Sequence, residues 1–235
     1  MCQFTRRTRL ANYRSLLVGE SVIDPTISVR NLGVQLRSDL MINDQISTVV
    51  RSCNYNIRQL RAIRSSLSRY ALRDVAYDLV LSRLDYFNVL YANAPVTQIK
   101  RLQMVINMTA RVVSGRRRFD LITDFISSEL HWLPVLQCVQ LKIGIMVFKA
   151  MNNLSPVYIA DLILSSTITR RRDLRSSSQQ VLLVPRHRTQ FATRAFAVAG
   201  PITWNLFPID VRIPTKIMTF RMCLKEHLFK TAYEH

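Results

Sequence analysis

Glycine and proline are scarce in this chain of 235 residues, which has 5 glycines and 8 prolines. A β-rich fold needs many tight turns, and these two residue types supply most of them. Hydrophobic residues make up 49% of the sequence, enough to bury a core and too many for a wholly disordered chain. The composition therefore predicts long helices around a core, in one large domain or two small ones.

Acidic residues are also few and scattered, with 15 Asp and Glu and no adjacent pair of aspartates. Polymerases hold two metal ions about 4 Å apart between neighbouring carboxylates, and the chain has no Tyr-x-Asp-Asp turn for this purpose. It has no glycine-rich phosphate loop, and its 4 histidines have no serine or cysteine partner in a catalytic arrangement. We therefore expect no catalytic residue, no cofactor and no small-molecule substrate.

The 4 cysteines lie far apart and form no CxxC pair. This spacing favours reduced, buried thiols over a disulfide framework or a zinc knuckle. Cys223 and His227 share a helical face, but two ligands do not make a structural metal site. No apolar run approaches the ~20 residues of a membrane-spanning helix, and residues 1–9 lack the layout of a signal peptide. We expect a soluble intracellular protein, nuclear or cytoplasmic, without a membrane or metal partner.

What the chain has in excess is positive charge, and most of it is arginine. Lys and Arg number 33, of which 27 are Arg, and the formal net charge is +18. The planar guanidinium grips phosphate oxygens in pairs and stacks on bases, whereas a merely solubilising surface is more often rich in lysine. The excess favours a polyanionic partner, although a coding bias toward arginine codons would produce the same composition.

Apolar residues recur with the helical period through most of the chain. Residues 1–38 are predicted to be extended, with a turn at Asp24-Pro25, and Asn43 is a plausible N-cap for the first helix. Residues 181–184 are a short strand candidate. The helices are predicted at residues 43–65, 68–92, 95–113, 122–127, 134–151, 155–164 and 215–232. The helix at 134–151 is apolar almost all round, so we expect it to be the central one.

The predicted fold class is mainly α: a helical bundle with a short N-terminal β hairpin and a second, smaller helical module. Ser114-Gly115 is a good helix stop, and a polar, basic stretch after Ser165 is typical of a linker. The predicted division of the chain is 1–38 extended, 39–114 helical bundle, 115–164 further helices packed on it, 165–190 basic linker, and 191–235 C-terminal helical module.

Arginines gather at the ends of predicted elements and in loops, where side chains are free to reach phosphates. The candidate nucleic-acid-binding residues are Arg51, Arg58, Arg116, Arg117 and Arg118 in the helical part, and Arg170, Arg171, Arg172, Arg186 and Arg188 in the linker. Each cluster taken alone is equally well explained as solvated loop charge. Tyr55, Tyr70 and Phe119 lie beside these arginines, where core packing and stacking on unpaired bases are both open.

Several short strings occur in an order that composition does not explain. They are Leu32-Gly33-Val34, Ser82-Arg83-Leu84-Asp85-Tyr86, Leu130-His131-Trp132-Leu133-Pro134, Lys149-Ala150, Ser155-Pro156-x-Tyr158-Ile159, Leu174-Arg175-Ser176, Val184-Pro185-Arg186, Gly200-Pro201-x-x-Trp204-Asn205 and Thr219-Phe220. Together they resemble the region downstream of the reverse transcriptase palm in jockey-like non-LTR retrotransposons (LINEs). The likeness covers about residues 29–229.

The resemblance implies a thumb-like helical bundle beside a template–primer duplex, followed by a helical region that grips element RNA or target DNA. It also implies that the fingers, the catalytic palm and the endonuclease domain are absent, so that residues 1–38 lead out of a missing palm and Met1 is a start in a truncated copy. The chain departs from the pattern at residues 4–9 and at Leu206-Phe207-Pro208. Two further hypotheses stay open: a non-functional retroelement relic, and a co-opted protein-interaction domain.

Overall fold

The computed structural model describes residues 15–168, 181–189 and 191–233, and over these the fold is mainly helical, as the sequence predicts. The helices are α1 (Asn43–Ile63), α2 (Arg69–Ala76), α3 (Ser82–Asp85), α4 (Val96–Ser114), α5 (Thr123–Phe125), α6 (Val135–Met151), α7 (Val157–Ile168), α8 (Phe196–Leu206), α9 (Ile209–Arg212) and α10 (Ile217–Tyr233). The predicted first, third and central helices are confirmed within two residues. Asn43 is the first helical residue of α1 and makes no capping bond, so its assignment as N-cap is wrong.

The extended N-terminal region forms two antiparallel hairpins. β1 (Leu16–Val18) pairs with β2 (Ser21–Ile23), and β3 (Ser28–Asn31) pairs with β4 (Val34–Arg37). The second hairpin turns through Leu32 and Gly33, whose φ angles of 47° and 80° match a two-residue turn of the left-handed type. Asp24-Pro25 lie between two strands, as predicted, and connect the first hairpin to the second.

The second predicted helix is interrupted. A π-helical turn at Tyr77–Leu81 joins α2 to α3, and the chain leaves the helix at Tyr86 and Phe87, where Phe87 has a φ of 52°. The buried positions Ala76, Val80 and Leu84 follow one another at four-residue steps, which drift by about 40° each in a regular α-helix. The wider turn absorbs this drift. The helical period predicts that Leu79 and Phe87 lie inward, but both are exposed.

Helix α6 is the centre of the molecule, as its nearly continuous apolar surface predicts. It contacts α4, α7, α8 and α10, and Ile143, Val147 and Phe148 are almost fully buried. Among the described residues no single helix is long and apolar enough to cross a membrane. The helical pair Thr123–Leu130 and Val135–Met151, bent by 43°, reaches that length and apolar composition only when both parts are taken together.

The C-terminal helices share one core with the rest of the chain. Phe148 of α6 stacks on Phe220 of α10 at 4.4 Å between ring centroids, and Phe220 lies 5.6 Å from the ring of Trp204 in α8. Gly200 brings the backbone of α8 close to α6, because a Cβ there would lie 3.1 Å from Val147. The boundaries predicted after residues 38, 114, 164 and 190 stay predictions. The shared core ties residues 196–233 to α6.

Residues 181–184 do not form the predicted strand. The side-chain amide of Asn205 in α8 takes the place of a neighbouring strand: its Oδ1 accepts from the backbone N–H of Leu182 at 2.9 Å, and its Nδ2 donates to the Leu182 carbonyl at 2.8 Å. Because one side chain satisfies both backbone groups, the segment is held extended without a β partner.

Several strings that carry the resemblance hold the fold together. The Tyr86 hydroxyl donates to the Leu32 carbonyl at 2.8 Å, which joins the first two strings. The Tyr233 hydroxyl donates to the carbonyl of Trp132 at 2.7 Å, which fixes the end of α10 against the third. Packing and hydrogen bonding are therefore sufficient structural reasons for Leu32, Tyr86 and Trp132 in these strings.

Candidate nucleic-acid interface

A groove of about 990 Å³ lies between α1 and α4, and arginine is its most frequent residue. Its wall is formed by Val50, Asn54, Arg61, Arg64, Arg101, Met104, Val105, Asn107, Met108, Arg111, Val112, Arg116 and Arg118. Six of these thirteen residues are arginines, and within the described part of the chain no aspartate or glutamate lines the groove. A concave surface with one sign of charge focuses its electrostatic field and attracts the opposite charge.

The predicted arginines divide between this groove and other places. Arg116 and Arg118 line it, and Arg117 lies between them in the chain. Arg51 and Arg58 are exposed on α1 but are not part of the groove wall. Arg186 and Arg188 are exposed on the segment before α8, also outside the wall. The candidates Arg170, Arg171 and Arg172 lie outside the described residues.

Four arginines of the groove were not predicted from the sequence: Arg61, Arg64, Arg101 and Arg111. The sequence feature that could have identified those of α4 is the helical spacing of arginines and methionines along one face. Arg101, Met104, Met108 and Arg111 are spaced by three or four and therefore share one face of α4. Most of the predicted candidates belong to arginine runs in loops, and a helical face that combines arginine with methionine contains no such run.

The two helices run parallel, which gathers the charge at one end. Arg101, near the start of α4, donates from Nη2 to the Ser47 hydroxyl near the start of α1 at 3.1 Å. At the other end the Arg64 guanidinium, just after α1, lies against Gly115, just after α4. Both helix C-termini therefore lie together, and their partial negative charges, about half an elementary charge each, favour cations there.

Three of the six groove arginines donate hydrogen bonds to neutral groups. Arg101 also donates to the Gln98 side-chain carbonyl at 2.8 Å. Arg111 donates to the backbone carbonyl of Asp120 at 3.3 Å, and Arg116 donates to that of Leu121 at 2.5 Å. A carbonyl orients a guanidinium without cancelling its charge, so these side chains are positioned and remain available to an anion.

Aromatic rings provide further neutral support. The Phe125 ring has the guanidinium of Arg69 at 4.9 Å and that of Arg116 at 5.6 Å from its centroid. Arg118 lies 5.6 Å from the ring centroid of Phe119, which is 90% exposed. Tyr55 and Tyr70 are also exposed. Core packing, as the interpretation of Tyr55, Tyr70 and Phe119, is therefore wrong.

The ion pairs between side chains of the described residues involve other cations. Arg37 pairs with Asp39 and Asp44, Arg69 with Glu129, and Arg73 with Asp74. The acid nearest to the arginine run is Asp120, and its carboxylate accepts from the backbone N–H of Arg117 at 2.7 Å. It caps the loop instead of pairing with a guanidinium of the groove.

Replacing Gly115 by alanine tests how the groove end is built. Gly115 has a φ of 79°, and a Cβ there would lie 1.9 Å from Nη2 of Arg64. We expect Gly115→Ala to lower the free energy of unfolding by about 1–2 kcal/mol through the left-handed conformation. Because Arg64 must also move, we expect weaker nucleic-acid binding, measured by thermal unfolding and a gel-shift titration.

Gly33→Ala is the matched control for this change. Gly33 has a φ of 80°, but its Cβ would lie at an ordinary 3.5 Å from the Tyr86 ring. It carries the same backbone strain and displaces no arginine, so we expect a similar loss of stability with unchanged binding. Equal binding by both variants would contradict the role given to Arg64.

Two of the cysteine thiols in the described part of the chain are protected by burial. Burial raises the pKa of the Cys53 thiol to about 11 and that of the Cys138 thiol to about 12. Both thiols therefore stay protonated at neutral pH, and a protonated thiol is neither a nucleophile nor a metal ligand. Among the described residues no three His, Cys, Asp or Glu side chains come together to hold a metal ion.

The fold and the groove define a mainly helical protein with a basic cleft between two parallel helices. The comparisons with known proteins add no closer assignment: no family model, no curated protein and no solved structure matches this chain.

Proposed function

We propose that this chain is a non-catalytic nucleic-acid-binding segment, corresponding to the thumb and downstream region of a jockey-like retrotransposon reverse transcriptase. The observation that carries the binding proposal is the groove between α1 and α4, which has six arginines and, among the residues that the structure describes, no acidic one in its wall. The retrotransposon origin is supported by the ordered strings of the sequence. The partner is RNA or DNA, contacted through its phosphates.

The hydrogen bonds that hold Arg101, Arg111 and Arg116 lower the entropy cost of binding a phosphate. A phosphate that meets a guanidinium already held by a carbonyl completes a charge-assisted hydrogen bond without much loss of side-chain entropy. Each phosphate neutralised in this way releases a counterion, so that affinity falls linearly with the logarithm of salt concentration. Arg51 and Arg58, exposed on α1 outside the groove wall, add further positive charge to that helix.

A gel-shift titration with the purified chain at two salt concentrations tests this proposal. We expect binding at about 50 mM salt that weakens at least tenfold at about 200 mM, as two or more phosphate contacts require. The absence of binding at the lower concentration, or an affinity that salt leaves unchanged, would contradict it. Primer extension with the chain and Mg²⁺ is expected to give no product.

A second candidate is the protein-interaction domain, and the first hairpin favours it. Leu16, Leu17, Val18, Val22 and Ile23 are all more than half exposed. A two-stranded hairpin is at best marginally stable alone in water, and exposed apolar strands with free edges are typical interaction sites. Sedimentation in high salt tests this, since self-association through apolar contacts persists where charge repulsion and phosphate binding are screened.

A further inference from the structure

We infer that the groove between α1 and α4 takes an unpaired nucleic-acid strand, with bases against its floor, in preference to a duplex. This inference rests on the proposed function and adds the form of the nucleic acid. It depends on the groove residues that are not arginine, which a surface that only binds phosphates would not need.

The groove has three kinds of surface, and a nucleotide has three matching parts. Arginines lie at both ends, with Arg101 at one and Arg64, Arg111, Arg116 and Arg118 at the other. Val50 and Met108 form an apolar stretch between them, together with Met104, which is 55% exposed. Phosphates suit the guanidiniums. The flat face of a base suits the apolar stretch, where methionine sulfur contacts aromatic rings favourably.

Two amides supply the third surface. Asn54 of α1 and Asn107 of α4 both line the groove. The Asn107 Oδ1 accepts from Gln103 at 3.0 Å, which assigns its amide nitrogen as a donor toward other groups. Asparagine side chains bond the edges of bases with a donor and an acceptor together. Placed beside an apolar stretch, they give a base a hydrogen-bonding edge as well as a stacking face.

A duplex cannot use the apolar stretch of the groove. Its bases are stacked and paired, and only their edges reach the grooves. To cover Met104, a base must first leave the stack, which costs stacking and pairing free energy. Packed helices have axes only about 8–10 Å apart, so the cleft between α1 and α4 is narrow. A duplex would contact the arginines at the rim and leave the apolar stretch in water.

The Phe119 ring continues this surface beyond the groove. It is exposed and lies under the guanidinium of Arg118, which lines the groove end. Stacking of unpaired bases on exposed aromatic rings strengthens binding and tolerates any sequence. A strand that leaves the groove past Arg118 therefore meets a stacking platform directly.

The test compares three probes of equal charge with the full chain: an unpaired oligothymidylate, a blunt duplex with the same number of phosphates, and inorganic polyphosphate. At about 0.15 M salt we expect the unpaired strand to bind at least tenfold more tightly than the other two, measured by fluorescence competition. Equal or tighter binding of the duplex, or of polyphosphate, would overturn the inference while leaving phosphate binding intact.

Met104→Ala is the decisive variant, because Met104 is half exposed and its loss should not affect folding. We expect the affinity for the unpaired strand to fall about three- to tenfold, with the salt slope and the duplex affinity unchanged. Met222→Ala on α10, where Met222 is 71% exposed, is the matched control and should change nothing. An unchanged affinity for Met104→Ala would overturn the inference; salt-independent binding of every probe would instead defeat the proposed function.

Discussion

Replacing Arg61, Arg64, Arg116 and Arg118 together by glutamine is expected to weaken nucleic-acid binding on the order of 10³-fold at about 0.1 M salt. The same variant should lower the slope of log affinity against log salt by about three, because each phosphate contact contributes about 0.7–0.9. All four side chains line one groove, and none has an acidic partner among the ion pairs of the described residues. Glutamine keeps much of the side-chain length, so the groove shape is retained.

A second quadruple variant separates the groove from net charge. Lys149, Lys216, Arg221 and Lys225 are exposed and lie outside the groove wall, and their replacement by glutamine removes the same four charges. We expect it to weaken binding only through the long-range field, by less than tenfold, since separated surface charges are screened beyond about 10 Å. Equal loss of affinity in both variants would show that binding follows total charge and not the groove.

The largest expected loss of stability comes from Trp204→Ala. Trp204 is 1% exposed and lies in an aromatic cluster with Phe207 and Phe220. Removing its ring leaves a cavity between α8, α6 and α10, and such changes cost about 3–5 kcal/mol. Single domains are stable by only about 5–15 kcal/mol. Urea unfolding followed by circular dichroism should therefore show a large shift of the midpoint.

The number of steps in the urea unfolding transition tests whether the C-terminal helices fold together with the rest of the described chain. The shared core predicts that wild type and Trp204→Ala each unfold in one cooperative step, because loss of α8 packing also uncovers α6. Tyr158→Ala, at a position 70% exposed on α7, is the control and should change stability by less than about 0.5 kcal/mol. Two separate transitions would favour an independent C-terminal module, and a broad noncooperative melt of wild type would favour the relic hypothesis.

The helices were predictable because their patterns are local. Apolar residues at the helical period place α1, α4 and α6, and Gly115 ends α4 where a left-handed residue follows Ser114. The central position of α6 also followed from the sequence, since a helix without a wide polar face must be covered on most sides. These features depend on residues within a few turns of each other.

The errors share a physical reason, which is that a distant partner decided the outcome. Residues 181–184 have the composition of a strand, but Asn205 satisfies their backbone. The turn at Leu32 and Gly33 is stabilised by Tyr86, 54 residues further along. The π-helical turn at Tyr77–Leu81 keeps Val80 and Leu84 in the core and exposes Leu79. No local period contains this information.

The amino-acid sequence by itself determined the helical class, the central helix and the excess of arginine, because each follows from composition or from neighbours along one helix. Only the tertiary structure decided where the charge gathers. The parallel packing of α1 and α4 brings Arg61 and Arg64 beside Arg111, Arg116 and Arg118, and such proximity depends on how two helices separated by over thirty residues pack together.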